Sequence, residues 1–298
     1  GQPENLVMDH GAPITGAPGA IITSGPLKGI YFGENGSVAN MAPGLLTSGG
    51  TSIGSPDWRY FNIGQGDKAQ DIAPEVSRQN IFARASYELT DNIEVYGQFS
   101  YGRARSFKFA TPQYYYGNLT IQRDNAFLPN EIGARMDELG LTSFSIGTTN
   151  EDLGGVPTYT GRDLYRYMVG ATGKVNLFGS AWDWDVSVNK NISDMSQSAL
   201  VNNQSRYRGA IDSVRDANGV AVCRSTLTNP FDGCVPYNIL GTGTSSDAAR
   251  DYVSHMSVMT QRLKQDIYTA SMHGEAFNTW AGPVSMAFGV EHRQEELT

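Results

Sequence analysis

The chain has 298 residues, enough for one large β domain or two smaller ones. Apolar residues make up 40% and charged residues 17%, which excludes a disordered acidic tail. The formal charge is −8 with no Lys/Arg-rich run, which argues against nucleic acid as a partner, and no apolar run is long enough for a membrane helix, although a barrel of alternating strands stays open.

The opening residues, Gly1-Gln-Pro-Glu-Asn, have neither the charged start nor the apolar stretch of a leader, so a leader is expected to have been removed or the chain to be an internal piece. A weak strand is expected over Lys28–Phe32. Gly50-Thr51-Ser52-Ile53-Gly54 fits the G-x-S-x-G pattern of hydrolases, but its Gly- and Pro-rich flanks predict a flexible loop and no nucleophile elbow.

Six further segments alternate with the period of two that an extended strand requires. They are Ile81–Leu89, Ile93–Tyr101, Leu164–Gly173, Trp182–Asn189, Ile267–Phe277 and Val284–Glu291. In the fourth, Trp182, Trp184, Val186 and Val188 share one face and Asp183, Asp185, Ser187 and Asn189 the other. A soluble sandwich and a membrane barrel both suit such a ribbon. The connections favour the barrel: turns at Thr90–Asn92, Asn176–Ala181 and Asn278–Pro283 alternate with long stretches over Gly33–Arg78, Gly102–Arg162 and Asp194–Lys264. Short helices are expected at Glu131–Leu139 and at Ser246–Tyr252, with Ser246 as N-cap.

Cys223 and Cys234 flank turn dipeptides, and a disulfide is the leading reading, with inert thiols or half of a metal site as alternatives. His10, His255, His273 and His292 have no metal-ligand spacing and are read as structural or solvated. Asp183 and Asp185 stand ~6.5–7 Å apart on a strand, a separation that suits an inverting glycosidase, but a wet lumen needs the same residues; catalysis is not expected and no cofactor is implied. Tyr114, Tyr115, Tyr116 and Phe127 lie in an aromatic stretch able to hold sugars or flat chelates, the alternative being packing between loops.

"NIFARASYELTDNIEVYGQFSYGR" (80–103), "NLTIQRDNAFLP" (118–129), "NPFDGCVPYNILG" (229–241) and "GEAFNTWAGPVSMAFGVEHRQE" (274–295) resemble, in that order, the barrel domain of TonB-dependent receptors. The resemblance implies an all-β, antiparallel transmembrane β-barrel of the plugged, 22-stranded kind, here in part: six or seven strands with long extracellular loops, an internal fragment lacking the plug and the TonB box. The expected division is 1–77 first strand and long loop, 78–107 hairpin, 108–160 long loop, 161–193 hairpin, 194–257 long loop with the cysteine pair, and 258–298 hairpin. Tyr87, Val95, Phe99, Tyr167, Trp182, Trp184 and Phe288 would face lipid. Arg84, Glu88, Glu94, Gln98, Arg166, Asp183, Asp185 and Glu275 would face the lumen, and Cys223–Cys234 would stiffen a loop. The implied activity is energy-coupled import of a scarce nutrient, a ferric chelate or siderophore or a glycan, through the bacterial outer membrane. Its partners would be outer-membrane lipid, the small ligand and the inner-membrane TonB complex. A passive porin and a secreted β-sandwich that binds carbohydrate are the competing expectations.

Overall fold

A computed structural model describes residues 9–61, 70–177 and 179–298. In chain order these form β1 (Ala12–Pro13), β2 (Ala20–Ile22), β3 (Ile30–Phe32), β4 (Val38–Asn40), β5 (Leu46–Ser48), β6 (Thr51–Ile53), α1 (Trp58–Phe61), β7 (Glu75–Thr90), β8 (Ile93–Ala110), β9 (Tyr115–Gln122) and α2 (Asn130–Glu138). They continue with β10 (Ser143–Thr148), β11 (Val156–Leu177), β12 (Ser180–Asn202), α3 (Gln204–Ile211), β13 (Ser213–Arg215), β14 (Ala221–Cys223), α4 (Asp247–Val253), β15 (Ser254–Thr279) and β16 (Gly282–Leu297). The chain is mostly strand, its assigned pairs are antiparallel, and no described helix is long and apolar enough to cross a membrane, which leaves strands unaddressed.

Two compact units result. One holds 74–107, 159–198 and 258–298. It is a six-stranded sheet of order β16-β15-β12-β11-β8-β7, with β7 and β16 at its margins. The alternating ribbons are found as expected but run much longer, to 22, 23 and 26 residues in β11, β12 and β15. The tight turns join β7 to β8, β11 to β12 and β15 to β16, so the long segments leave from the opposite strand ends.

The other unit holds the three long segments, 1–73, 108–158 and 199–257. They are far from plain loops. Sheets β4-β3-β2-β10-β9 and β1-β6-β5 carry most of the backbone pairing, and Ile30–Phe32 belongs here, between β2 and β4, and not to the six-stranded sheet. A continuous core of Ile22, Phe32, Leu119, Ile146, Met136, Tyr207, Leu240 and Val253 draws on all three segments. Such short strands are apolar on consecutive residues, because both their faces are covered, and so show no alternation. The segment around Ser52 is likewise ordered: β5 and β6 form a hairpin, and the buried Ser52 hydroxyl accepts the Gly44 N–H at 2.7 Å, a structural role.

Tyr207 is the centre of this core. It is fully buried, its ring lies parallel to Tyr115 at 5.2 Å, and its hydroxyl donates to Asn150 Oδ1. Burial, followed by the neighbouring Tyr237 and Tyr115 phenols, pushes its pKa well above that of free tyrosine. Asn150 occupies left-handed backbone (φ 52°), which asparagine tolerates better than most residues, and its amide also donates to the Gln113 carbonyl. Beside it Gly147 sits at the β10 irregularity, where a Cβ would overlap the Thr15 carbonyl oxygen. Ser246 caps α4 as expected, accepting from the Ala249 N–H at 3.2 Å.

Cys223 and Cys234 are bonded. Their separation of 11 residues closes a small loop, inside which Asp232 accepts from Ser225, Thr226 and the Cys234 N–H. Replacing both cysteines by serine is expected to destabilise this unit by roughly 2–3 kcal/mol, the loop-closure entropy for that length. Thermal unfolding with and without reductant checks this: wild type should shift on reduction and the double variant should not.

Arg224 joins the segments: its two terminal nitrogens pair bidentately with Asp124 (2.8 and 2.6 Å), and its Nε–H is shared between the two Asp212 oxygens (3.1 Å each). The hydrogen bond from Arg224 holds the Asp124 carboxyl below its ordinary value of 3.8. Such a group contributes stability above its unfolded pKa and loses it as pH falls through the lower folded value. Acidification below about pH 4 is therefore expected to loosen this corner while pH 5–8 leaves it unchanged, with amide exchange around Arg224 as the readout.

Candidate membrane-facing surface

The six-stranded sheet has two unlike faces because its strands alternate and its register keeps like with like. Tyr87 pairs with Val95, Ala83 with Phe99 and Ile81 with Tyr101, while Arg84 pairs with Gln98 and Glu88 with Glu94. Met272 pairs with Phe288 and Ala270 with Val290. Side-chain contacts carry the same faces across the middle strands: Phe99 meets Tyr167 at 5.3 Å, Tyr101 meets Tyr165 at 5.1 Å, and Trp182 stacks on Phe288 at 6.3 Å. Trp184 lies over Gly173.

The apolar face is exposed. Tyr87 is 70% accessible, Val169 62%, Phe288 61% and Val290 69%. Single exposed apolar residues are ordinary on soluble proteins; a contiguous apolar face over six strands is not. Small residues at its centre, Ala85, Gly97 and Ala171, leave a shallow depression of about 790 Å³. Trp182 departs from the expectation: it shares this face but is only 2% exposed, lying flat on Gly274, where a Cβ would come within 2.5 Å of its ring.

On β7, β8, β15 and β16 the apolar band has constant width. It runs Ile81–Leu89 on β7, Ile93–Tyr101 on β8, Tyr268–Ala276 on β15 and Val284–His292 on β16, about nine residues on each, the length that crosses a bilayer when strands tilt. Aromatic residues line both limits: Tyr101, Tyr165, Tyr268 and His292 on one side, Tyr87, Trp182, Trp184 and the fully exposed Trp280 on the turn side. Beyond the first limit the same face becomes charged. Asp163 accepts from the Tyr101 hydroxyl (2.9 Å) and Arg105 (2.6 Å), and Asp194 pairs with Arg262 at 2.5 Å.

Both limits run obliquely. The Asn92 carbonyl, at the first tight turn, accepts from the Lys174 N–H, four residues short of the second turn. Ser180, just past the second turn, donates to the Glu275 carbonyl, four residues short of the end of β15. The aromatic limit shifts in the same sense, from Tyr101/Tyr165 to Tyr268/His292. At ~3.3 Å per residue and ~4.8 Å per strand, these steps tilt the strands roughly 45–50° from the normal to the band.

The opposite face is polar and internally bonded. The Tyr96 hydroxyl donates to Asp185 at 3.0 Å with its ring under the Arg84 guanidinium at 4.7 Å, and Arg84 reaches Glu94 at 3.6 Å. Arg166 donates to Asn189 (3.2 Å), Ser187 meets Thr269 at 2.7 Å, and His273 approaches Asp183 at 3.8 Å. Arg84, Glu88, Glu94, Gln98, Arg166, Asp183, Asp185 and Glu275 thus lie together on one face.

The aromatic stretch splits by strand parity. Tyr114 and Tyr116 are half-exposed and stack on each other at 4.6 Å. Tyr115 points the other way into the core, which removes it as a ligand contact, and Phe127 sits in a turn where its N–H donates to Asn125. Sequence reading missed the charged row of Arg103, Arg105, Asp163, Asp194 and Arg262, because these residues lie past the apolar alternation that marks the strands.

No protein-family model matches the chain, and no curated protein matches it. Among solved structures it is similar to the siderophore receptor PiuA from Acinetobacter baumannii at 10% sequence identity and a TM-score of 0.28, over 75% of this chain and 29% of that one. The chain therefore spans less than a third of that structure's length.

Proposed function

We propose that the six-stranded sheet is a stretch of the wall of an outer-membrane β-barrel, with its apolar band against lipid and its polar face toward the interior. The supporting observation is the oblique band. Exposed apolar residues alone would suit any sticky sheet, but a band of bilayer width, edged by aromatic rows and tilted against its strands, is what a spanning barrel wall requires. In this reading the unit built from the long segments captures the ligand. The disulfide fits it, because such bonds persist in oxidising surroundings. The activity proposed is TonB-dependent import of a scarce nutrient, a ferric chelate or a glycan, without catalysis. Tyr114 and Tyr116 are the contacts proposed for that ligand, and Asp183 and Asp185 belong to the interior lining.

Flotation tests the membrane reading. Refolded in the presence of phosphatidylcholine vesicles, the chain is expected to rise with them through a density gradient. A folded chain that stays in the aqueous fraction would overturn the proposal and favour the soluble β-sandwich.

A further inference from the structure

Beyond the charged row, the apolar side of the sheet carries a second concavity, a groove of about 580 Å³. Its wall is the ring pair Phe107 and Tyr159, 4.6 Å apart. Its floor is Gly161, where a Cβ would crowd Ser196 Oγ at 3.1 Å and Arg105 Cδ at 3.3 Å. Ser77, Ser196 and Ser198 surround it. The Arg105 guanidinium is held by Asp163, which also pairs with Arg103 at 3.6 Å, and by the carbonyls of Ala104 and Arg162.

We infer that this groove holds the sugar headgroup of a glycolipid in the surrounding leaflet, an inference that rests on the membrane reading above. Three features choose the occupant. Arg105 and Gly161 stand two residues past Arg103 and Asp163, and Phe107 and Tyr159 four. On strands tilted by roughly 45–50°, that lies roughly 9–14 Å outside the Tyr101–Tyr165 limit, beyond the ~5–8 Å headgroup layer of a phospholipid and within reach of one or two sugar rings. Aromatic rings beside hydroxyl groups suit a sugar, whose C–H faces pack on rings while its hydroxyls exchange hydrogen bonds. Arg105 and Arg103 share Asp163, at 2.6 and 3.6 Å, and Glu75 also lines the groove, so two carboxylates offset the two guanidinium groups, which disfavours a phosphate.

The probe is digalactosyl diacylglycerol, present as a minor fraction in phosphatidylcholine vesicles with phosphatidylglycerol as the anionic control. Native mass spectra of the full chain recovered from these vesicles are expected to show the galactolipid retained ahead of both phospholipids. Tyr159→Ala is expected to lower that retention about tenfold, a change of about 1.4 kcal/mol. Gly161→Val, which fills the floor, should do the same, and neither should alter flotation. Equal retention by wild type and both variants, or preferential retention of phosphatidylglycerol, overturns the inference. A wild-type chain that floats but retains no galactolipid removes this inference alone, whereas one that does not float removes the membrane reading with it.

Discussion

Val169→Arg is expected to destabilise the chain in a bilayer by about 2–4 kcal/mol, and by almost nothing in water. Val169 stands near the middle of the apolar band on β11 and is 62% exposed, so no protein neighbour would be displaced by the longer side chain. In an aqueous setting such a surface substitution falls within about ±0.5 kcal/mol. Against hydrocarbon the guanidinium must shed water without gaining a partner, and the penalty depends on depth. The measurement is denaturant unfolding of vesicle-reconstituted chain, with Ser271→Arg on the polar face as control. A large loss for Val169→Arg beside a small one for Ser271→Arg is the expected pattern. Equal and small losses would remove lipid from the apolar face.

The second large effect belongs to the other unit. Tyr207→Ala is expected to cost about 3–5 kcal/mol, the range for deleting a large buried ring. The ring packs between Tyr115 and Tyr237, and its hydroxyl completes the bonding of the buried Asn150. Tyr207→Phe separates the contributions, because it keeps the ring and leaves Asn150 Oδ1 unsatisfied, at about 1–3 kcal/mol. Thermal unfolding followed by near-ultraviolet circular dichroism should order the proteins wild type, Phe, Ala. A variant as stable as wild type at Ala would contradict the burial.

Much of the six-stranded sheet was legible because half-buried ribbons print their period directly: Ile81–Leu89 and Val284–Glu291 need no partner to be recognised. Strand ends were less legible. Past Tyr101 and Val188 the same faces turn charged, with Arg103, Lys190 and Asp194, and the apolar signal stops although the hydrogen bonding continues. The tilt of the band could not be read from one segment at all, since it lives in pairings such as Asn92 with Lys174, set between strands. The compact unit hid for a different reason. Segments such as Ala20–Ile22 and Ile30–Phe32 are three residues long and covered on both sides, so neither length nor alternation marks them. Within Tyr114–Tyr116 composition pointed to an exposed cluster, and only strand parity assigns the middle tyrosine inward.

That unit's core carries an order of events. Ile22 and Phe32 come from its first segment, Leu119 and Ile146 from its second, and Tyr207 and Val253 from its third. Two hairpins of the sheet are interposed between these segments in the sequence. That interior is complete only when all three segments, through Val253, are in place. Contacts of such long sequence separation form slowly. During that interval the early strands are open to proteases and to wrong partners, and the disulfide, whose second cysteine also arrives late, cannot protect them.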